Sequence, residues 1–310
     1  MSKQHKTSIG GQAIYEGVMM RGPKKYAVSV RLPSGEIETT VHDNKSIKDR
    51  YPIFKLPLLR GVAGLFESMG VGYKTLMYSF EAAGFEEEEP TKFELWIERV
   101  LGKSASKVFI AIGAVLGVAL ALVLFILLPS LGVKFISPVI PTWSRSLMEG
   151  IIKIAIFICY LLAVSKMPEI ARTFEYHGAE HKTIFTYEAG DELTVENIRK
   201  NSRYHPRCGT SFMLIVLVIS IMISSLPIVT WDNVLLRSLT KIALLPVVVG
   251  ISYELIHLAG RHDNVFTRVI SAPGMWLQRI TTKEPDDSQI EVAIASVIPV
   301  LTGNPEDDKW

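Results

Sequence analysis

The sequence contains few cysteines and almost no net charge, and both shortages exclude classes of protein. Of its 310 residues only Cys159 and Cys208 are cysteines, and the formal net charge is +2. Cys159 falls inside an apolar run and Cys208 outside one, so no structural disulfide is expected and Cys208 is interpreted as a reduced thiol. So small a net charge does not indicate a nucleic-acid partner. Residues 1–12 contain no apolar segment, so no cleavable signal peptide is predicted.

Long apolar runs are the main feature of the sequence. Hydrophobic residues make up 48% of the chain, and the excess is concentrated in runs at about residues 108–128, 147–164, 212–229 and 239–258. The first run has no charged residue and is long enough to cross a hydrocarbon core about 30 Å thick. The predicted fold class is a multi-pass α-helical membrane protein, with about four transmembrane helices and a cytoplasmic α+β N-terminal portion. The lipid bilayer is therefore its first expected partner.

Lysine and arginine are distributed unequally between the predicted loops, and this bias usually sets the orientation of a membrane protein. The loops after the first and third runs carry only Lys134 with Arg145, and Arg237 with Lys241. The middle loop and the tail are much richer in basic residues: Lys166, Arg172, Lys182, Arg199, Lys200, Arg203, Arg207, Arg261, Arg268, Arg279 and Lys283. This pattern predicts a protein of the cell (inner) membrane with both termini and the middle loop in the cytoplasm.

The predicted spans divide the chain into successive regions. These are a cytoplasmic α+β region with a juxtamembrane helix (1–106), a first transmembrane pair (107–166), a cytoplasmic loop (167–210), a second transmembrane pair (211–262) and a cytoplasmic tail (263–310).

Smaller elements are predicted within the first and last of these regions. A hairpin is expected from strands at 26–32 and 37–42 around a turn at 33–36, followed by a helix over 57–83. An acidic linker at 86–89 and an interfacial helix at about 93–103 come next, and an amphipathic helix is expected over 287–297.

His177, Glu180 and His181 form a His-x-x-Glu-His motif within the segment 175–188, whose helical structure is a condition of the argument that follows. The two histidines are then one turn apart on the same face. Two imidazoles at this spacing can bind one metal ion, and an adjacent carboxylate can act as general base. Gly178 opposes the helix, because glycine costs up to about 1 kcal/mol in a helix interior.

The remaining metal ligands have several candidate sources. The inverted zinc peptidases, which share the motif, use a distant glutamate, and here Glu254, with His257 one turn further, could serve. Alternatively, His205 and Cys208 could complete a closed, structural tetrahedral site. Cys208 could also be a nucleophile, with His205 or His181 as its base.

A purely structural role for these histidines and for Glu254 is the other interpretation of the same residues. Histidines near a membrane surface commonly hydrogen-bond the backbone or lipid headgroups, and Glu254 could simply pair with Arg261 or a loop lysine. His5, His42 and His262 are interpreted as solvated or loop residues. The case for a metal site rests on the convergence of the other candidates at one predicted membrane face.

Three stretches of the chain resemble one family. They are Ile9–Ala13 with Glu16–Arg21, Glu175–Lys182, and His205–Phe212. Together they resemble the YqhQ-like bacterial membrane proteins, a family of unknown function that has been described as predicted metal-dependent enzymes. The resemblance implies a membrane location and importance for the Glu16–Arg21 stretch, to which residue chemistry assigns no mechanism.

The leading functional hypothesis is a metal-dependent, hydrolase-like membrane enzyme with its site at the cytoplasmic membrane face. A divalent metal, zinc, would be bound by His177 and His181 with Glu254 or His205, and Glu180 would be the general base. The alternative is a non-catalytic membrane scaffold or biogenesis factor with a structural metal site, bound to a membrane protein partner or to further copies of itself. A transporter is a weaker hypothesis, because few ionisable residues lie in the predicted spans.

Overall fold

A computed structural model describes residues 6–84, 105–139, 141, 144–226, 228–229, 233–261, 264–304 and 307–308. The chain forms two compact units: one contains residues 1–84, 160–219 and 246–310, and the other contains residues 85–159 and 220–245. The predicted acidic linker, the predicted interfacial helix at 93–103, and His5 and His262 lie outside the described residues.

The elements follow one another in the chain as four strands and then a series of helices. The strands are β1 (Gly10–Ile14), β2 (Gly17–Arg21), β3 (Lys25–Arg31) and β4 (Ile37–Asp43). The helices are α1 (Ile47–Arg50), α2 (Leu59–Ala82), α3 (Ala105–Leu122), α4 (Leu128–Ile136), α5 (Arg145–Val164), α6 (Pro168–Ala189), α7 (Val195–Lys200), α8 (Gly209–Ser224), α9 (Val234–Arg261), α10 (Val265–Thr281) and α11 (Asp287–Val297). A π-helical segment, Val123–Leu127, joins α3 to α4, and short 3₁₀ turns lie at Pro52–Lys55 and Ile298–Val300.

The first unit is built around a four-stranded antiparallel sheet in the order β1-β2-β3-β4. The predicted hairpin is confirmed as β3 and β4, which pair from Lys25 with Asp43 to Arg31 with Ile37. The Ile9–Arg21 stretch forms a second hairpin, β1 and β2, which was not predicted. Glu16 lies in its two-residue turn and adopts a φ of 47°, in the left-handed region that few non-glycine residues occupy.

Helices cover both faces of this sheet, because alternate residues of its inner strands point to opposite sides. Val18, Met20 and Ala27 face a core that the sheet shares with α6 and α11. Helix α6 contributes Tyr176 and Ala179 to this core, and α11 contributes Ile290, Ala293 and Val297. Met19, Val28 and Val30 face the other way and pack against Val71 and Leu76 of α2. The predicted helices over 57–83 and 287–297 are confirmed as α2 and α11.

The segment 175–188 is helical, as the motif argument required, and forms part of α6; the structure explains why it contains a glycine. A Cβ atom at Gly178 would lie 2.0 Å from the carbonyl oxygen of Lys283. The Lys283 N–H donates a 2.8 Å hydrogen bond to the carbonyl of Phe174, so the chain after α10 lies directly on α6. The cost of glycine in the helix is offset by this close backbone contact.

Three helical stretches are long and apolar enough to cross a membrane: Ile112–Ile136, Arg145–Val164 and Val234–Ala259. They indicate a membrane protein, and they correspond to the first, second and fourth predicted spans. The third predicted span, 212–229, corresponds to the shorter apolar helix α8, which ends at Ser224. Its end precedes Pro227 in the sequence, and residues before proline disfavour helical torsions.

The second unit contains a buried group of charged side chains centred on Glu149 of α5. The Glu149 carboxylate accepts hydrogen bonds from Ser130 (2.6 Å), Arg237 (2.7 Å) and Lys241. All three charged side chains are almost completely buried. A buried cation left without its carboxylate is costly, so Glu149 links helices α4, α5 and α9 within this unit.

Replacing Glu149 with glutamine is therefore expected to destabilise the protein by about 3–5 kcal/mol, because Arg237 and Lys241 lose their buried counterion. Thermal unfolding in detergent, compared between wild type and Glu149→Gln, measures the effect. Glu192→Gln is the control, because Glu192 is exposed and surface changes usually shift stability by less than about 0.5 kcal/mol. Equal unfolding temperatures for the two variants would show that the cluster contributes no stability.

Candidate functional site

Helix α6 places the motif histidines side by side on one face. His177 and His181 are one turn apart, and their ring centroids are 4.4 Å apart. Glu180 lies on the same side, with its Oε2 atom 3.5 Å from Nε2 of His181 and 4.0 Å from Nε2 of His177. The expected geometry of the His-x-x-Glu-His motif is therefore present in the helix.

Cys208 joins the two histidines from the loop that precedes α8. Its Sγ atom lies 3.2 Å from Nε2 of His177. One ligand atom from each of His177, His181 and Cys208 can be chosen so that all three lie within 4.8 Å of one another. Within the described part of the chain, no other group of three or more histidine, cysteine or acidic residues meets in this way.

Both imidazoles are oriented by backbone carbonyl groups. Nδ1 of His177 lies 2.9 Å from the carbonyl oxygen of Thr281, and Nδ1 of His181 lies 2.6 Å from that of Arg203. A carbonyl only accepts hydrogen bonds, so each Nδ1 carries a hydrogen and each Nε2 is directed at the thiol. Metal-binding histidines in proteins are typically oriented by such a hydrogen bond from the second ring nitrogen.

The surroundings of Cys208 favour its thiolate form. Burial by itself would raise the pKa of Cys208, but His181 and His177 outweigh this effect and lower the pKa well below its usual range. The backbone N–H and the hydroxyl of Thr210, at the start of α8, lie 3.4 Å and 3.2 Å from Sγ. Conversely, burial would lower the pKa of His181, but Cys208 and Glu180 raise it to about 9. These interactions by themselves favour a thiolate–imidazolium pair.

Glu180 is held against the sheet by a glycine of β1. A Cβ atom at Gly11 would lie 2.7 Å from Cγ of Glu180 and 2.8 Å from the carbonyl oxygen of Met19. Only glycine leaves room for the glutamate side chain at this point. This contact gives the Ile9–Ala13 stretch a role beside the site that residue chemistry did not reveal.

His205 is near the site but its side chain is directed elsewhere. Its ring centroid lies 5.6 Å from that of His181, and its Nε2 lies 3.7 Å from Oε2 of the buried Glu188. Gln278 of α10 accepts a 2.7 Å hydrogen bond from the His205 N–H and donates a 2.8 Å bond to its carbonyl. Burial lowers the pKa of His205. The structure therefore does not bring His205 into the group with Cys208.

Glu254 and His257 are not brought into the group either. The Glu254 carboxylate accepts two hydrogen bonds from Arg60, one of them 2.7 Å from Nε, and one from the N–H of Leu58. The His257 ring stacks on Tyr253 with 6.0 Å between ring centroids. Glu254 thus pairs with a cation of α2, whereas the sequence suggested Arg261 or a loop lysine.

Glu16, in the turn between β1 and β2, anchors the sheet to α6. Its carboxylate accepts two hydrogen bonds from Arg172 and one of 3.1 Å from the hydroxyl of Tyr176. This pairing ties the turn to the helix that carries His177 and Glu180. In the sequence, Glu16 stands out only as a glutamate within a family motif, and nothing there identifies Arg172 or Tyr176 as its partners.

A cavity of about 770 Å³ opens in front of the group. His177, Glu180, His181, His205 and Cys208 contribute to its wall. Much of the remaining wall is apolar and includes Leu65, Met69, Leu76, Ile184, Phe212 and Met213. The site can therefore receive a ligand that has apolar parts.

The fold and the site define a helical membrane protein with a small antiparallel sheet and a buried histidine–cysteine–glutamate group. The chain belongs to the family described as protein of unknown function DUF1385, whose profile matches residues 56–302. It is 36% identical over 300 residues to the uncharacterized protein YqhQ of Bacillus subtilis (strain 168), covering 96% of this chain and 93% of that protein. No solved structure matches the chain. The family resemblance seen in the motifs is confirmed, and it assigns no activity.

The lowered pKa of Cys208 predicts unusual thiol reactivity in chelator-treated protein. Only the thiolate reacts with iodoacetamide, so alkylation of Cys208 is expected to persist at about pH 6, where a thiol of pKa about 8.5 is protonated. Mass spectrometry of the Cys208 peptide in a Cys159→Ser background, as a function of pH, measures this.

His181→Ala removes the neighbouring cation and should move the inflection of that pH profile upward. His42→Ala is the matched control, because His42 is exposed on β4. An inflection near pH 8.5 in the parent protein would contradict the proposed thiolate–imidazolium pair.

Proposed function

We propose that His177, His181 and Cys208 bind one divalent cation, zinc, in a metal-dependent membrane hydrolase. The observation that carries the proposal is that both imidazoles donate Nδ1–H to backbone carbonyls and direct Nε2 toward Sγ. Imidazole nitrogen and thiolate sulfur are the ligands that zinc prefers in proteins. The proton shared between His181 and Cys208 would be displaced when the metal binds.

The donor set supports a catalytic rather than a closed site. Three protein ligands leave a fourth position for water or substrate, as in catalytic zinc sites. His205, which the sequence offered as a further ligand, has its imidazole directed toward Glu188. A bound zinc ion would act as a Lewis acid and lower the pKa of water. Glu180, with Oε2 close to both Nε2 atoms, is placed to accept the proton from the attacking water.

The proposed substrate is lipid-linked or lies close to the membrane. The apolar wall of the cavity in front of Glu180 and Cys208 supports this class of ligand. Water is the proposed nucleophile, and hydrolysis the proposed reaction.

One observation favours the alternative of a scaffold with a structural metal. Cys208 and His181 are only 8% and 2% exposed, as expected for a metal that holds elements together rather than one that meets substrate. In that case the protein would act by binding a membrane protein partner or further copies of itself. The two functions differ in the role of Glu180, which is a general base in the hydrolase and has no catalytic role in the scaffold.

The metal content of detergent-purified protein, measured by elemental mass spectrometry, tests the site directly. We expect about one zinc per chain in wild type, and its loss in His181→Ala and Cys208→Ala, because each removes a ligand. Glu254→Ala is the control and should keep the metal, since Glu254 pairs with Arg60. Metal that survives the loss of Cys208 would contradict the proposed ligand set.

Glu180→Gln tests catalysis in the same preparations. It should retain zinc and lose about 10²–10⁴-fold in hydrolysis of an activated ester such as p-nitrophenyl acetate. If Glu180→Gln keeps its zinc and hydrolyses the ester as fast as wild type, or if neither protein hydrolyses it, the structural alternative is favoured. Loss of zinc would instead make Glu180 a fourth ligand and close the site.

We further propose that α8 is a fourth span, which places both termini and the site on the cytoplasmic side of the cell membrane. The support is the apolar character of Gly209–Ser224 and the unequal distribution of lysine and arginine in the sequence. A helix of this length crosses about 24 Å, so flanking residues would need to reach the interface or the bilayer to thin locally.

Single cysteines at Ser34, Val139 and Asn304, in a background with both Cys159→Ser and Cys208→Ser, test this arrangement. A membrane-impermeant maleimide added to intact cells should label only Val139→Cys, which lies between the first two spans. Permeabilised cells provide the control for reactivity. Opposite labelling of Ser34→Cys and Asn304→Cys would mean an odd number of spans.

A further inference from the structure

Helix α2 exposes an apolar stripe. Phe66 and Met69 are 64% and 60% exposed, and Leu59, Tyr73 and Met77 are also exposed on the same face. Val71, on the opposite face of the helix, and Leu76, beside the stripe, pack against the sheet. A contiguous exposed apolar face marks an interaction surface, and a helix of this kind can lie in the plane of a membrane interface.

This stripe forms the edge of the cavity in front of the candidate site. Met69 and Tyr73 belong to the stripe and also line the cavity that contains His177 and Cys208. The cavity therefore opens where the apolar side chains of α2 are exposed. A ligand that enters from the bilayer would pass over these two residues.

A second cavity, of about 620 Å³, continues from the first. The two share several residues in their walls: Gly10, Gly11, Gln12, Leu65, Ser68, Arg207, Gly209 and Phe212. Arg21 and Lys48 line the second cavity, with Glu67 as the one carboxylate among its lining residues. Arg207 lines both cavities and pairs with the buried Glu188. The two cavities thus combine an apolar region beside the candidate site with a cationic region further on.

The positive charge of Lys48 is not neutralised within the second cavity. Glu67 accepts hydrogen bonds from the hydroxyl of Ser46 and the N–H of Ile47, and lies 3.5 Å from Arg21. The Lys48 ammonium lies over the Tyr253 ring, 5.6 Å from its centroid, and forms no ion pair with a described carboxylate. Because Arg21 pairs with Glu67 and Arg207 with Glu188, the charge of Lys48 is left for an anionic group to balance.

The ends of apolar helices complete the wall. Phe212 lies in the first turn of α8, and Tyr253 and Ile256 lie in the last two turns of the candidate span Val234–Ala259. The ends of membrane-spanning helices are the level at which lipid headgroups lie. Basic pockets between such helices are known to bind anionic headgroups.

We propose that the cavity lined by Arg21 and Lys48 binds the headgroup phosphate of an anionic phospholipid. The acyl chains would follow the apolar stripe of α2. The headgroup would lie in the second cavity, next to the first cavity that contains Glu180 and Cys208. This inference rests on the proposed function where it names such a lipid as the substrate class. The binding itself does not depend on the metal.

Lipid retention tests the binding. Wild type in mixed micelles of equal phosphatidylglycerol and phosphatidylcholine should retain phosphatidylglycerol preferentially after gel filtration, as measured by mass spectrometry. Lys48→Gln should reduce that preference about fivefold, and Arg21→Gln with Lys48→Gln should reduce it further, because each cation near a membrane surface contributes about that factor. Lys45→Gln is the matched control, because Lys45 is a fully exposed lysine three residues away that does not line the cavity.

The outcomes separate the possible sources of the phosphate and the two proposals. No preference in wild type, or an equal loss in Lys45→Gln, overturns the site. Displacement of the lipid by excess inorganic phosphate shows that the pocket takes free phosphate and overturns the lipid assignment. A preference for phosphatidylglycerol that persists after treatment with a chelator supports a lipid site that does not require zinc. Failure of the metal proposal is recognised separately, from the zinc content of the protein.

Discussion

Two hydrogen bonds to backbone carbonyls determine what the candidate site can be. They hold His177 to Thr281 and His181 to Arg203, and they turn both Nε2 atoms toward Cys208. Thr281 is the last residue of α10, and Arg203 lies in the loop before α8. The orientation of two side chains on α6 therefore depends on the correct placement of two other segments of the chain.

Close backbone contacts at glycines maintain that placement. Gly178 admits the carbonyl of Lys283 next to α6, and a Cβ at Gly274 of α10 would lie 2.2 Å from Oγ of Ser211 in α8. Gln278 adds two hydrogen bonds from α10 to the backbone of His205. Larger residues at these glycines would push apart the elements that supply the two carbonyls, so the packing and the chemistry depend on the same contacts.

The sequence predicted the strongly periodic elements and the identity of the central residues. Helices α2 and α11 have apolar residues at helical spacing, the β3–β4 hairpin has a clear turn signal, and α6 was considered only through the His-x-x-Glu-His motif. The β1–β2 hairpin was missed because its short strands are rich in glycine and β2 is buried on both faces, which removes the alternation. Helix α10 contains Pro273 and Gly274, which read as a break.

Tertiary contacts explain what sequence reasoning could not resolve at the site. His177, Glu180, His181 and Cys208 were all named as candidates, but the choice between Cys208 and Glu254 depended on which partner each met. Glu254 meets Arg60, 194 positions away in the chain, and no periodicity encodes that pairing. The two orienting carbonyls are backbone atoms and leave no trace in residue type.

Cys208, and not Glu254, lies beside the two histidines, and this affects which metal the proposed site would prefer. Imidazole with carboxylate ligands suits several divalent metals, whereas a thiolate in the set favours soft or borderline ions such as zinc over magnesium, calcium or manganese. A thiolate also donates more charge than an imidazole, which weakens the Lewis acidity available to substrate. If zinc binds as proposed, the buried Glu180 carboxylate becomes more important as the proton acceptor, since the metal alone would activate water less strongly than in a site with three histidines.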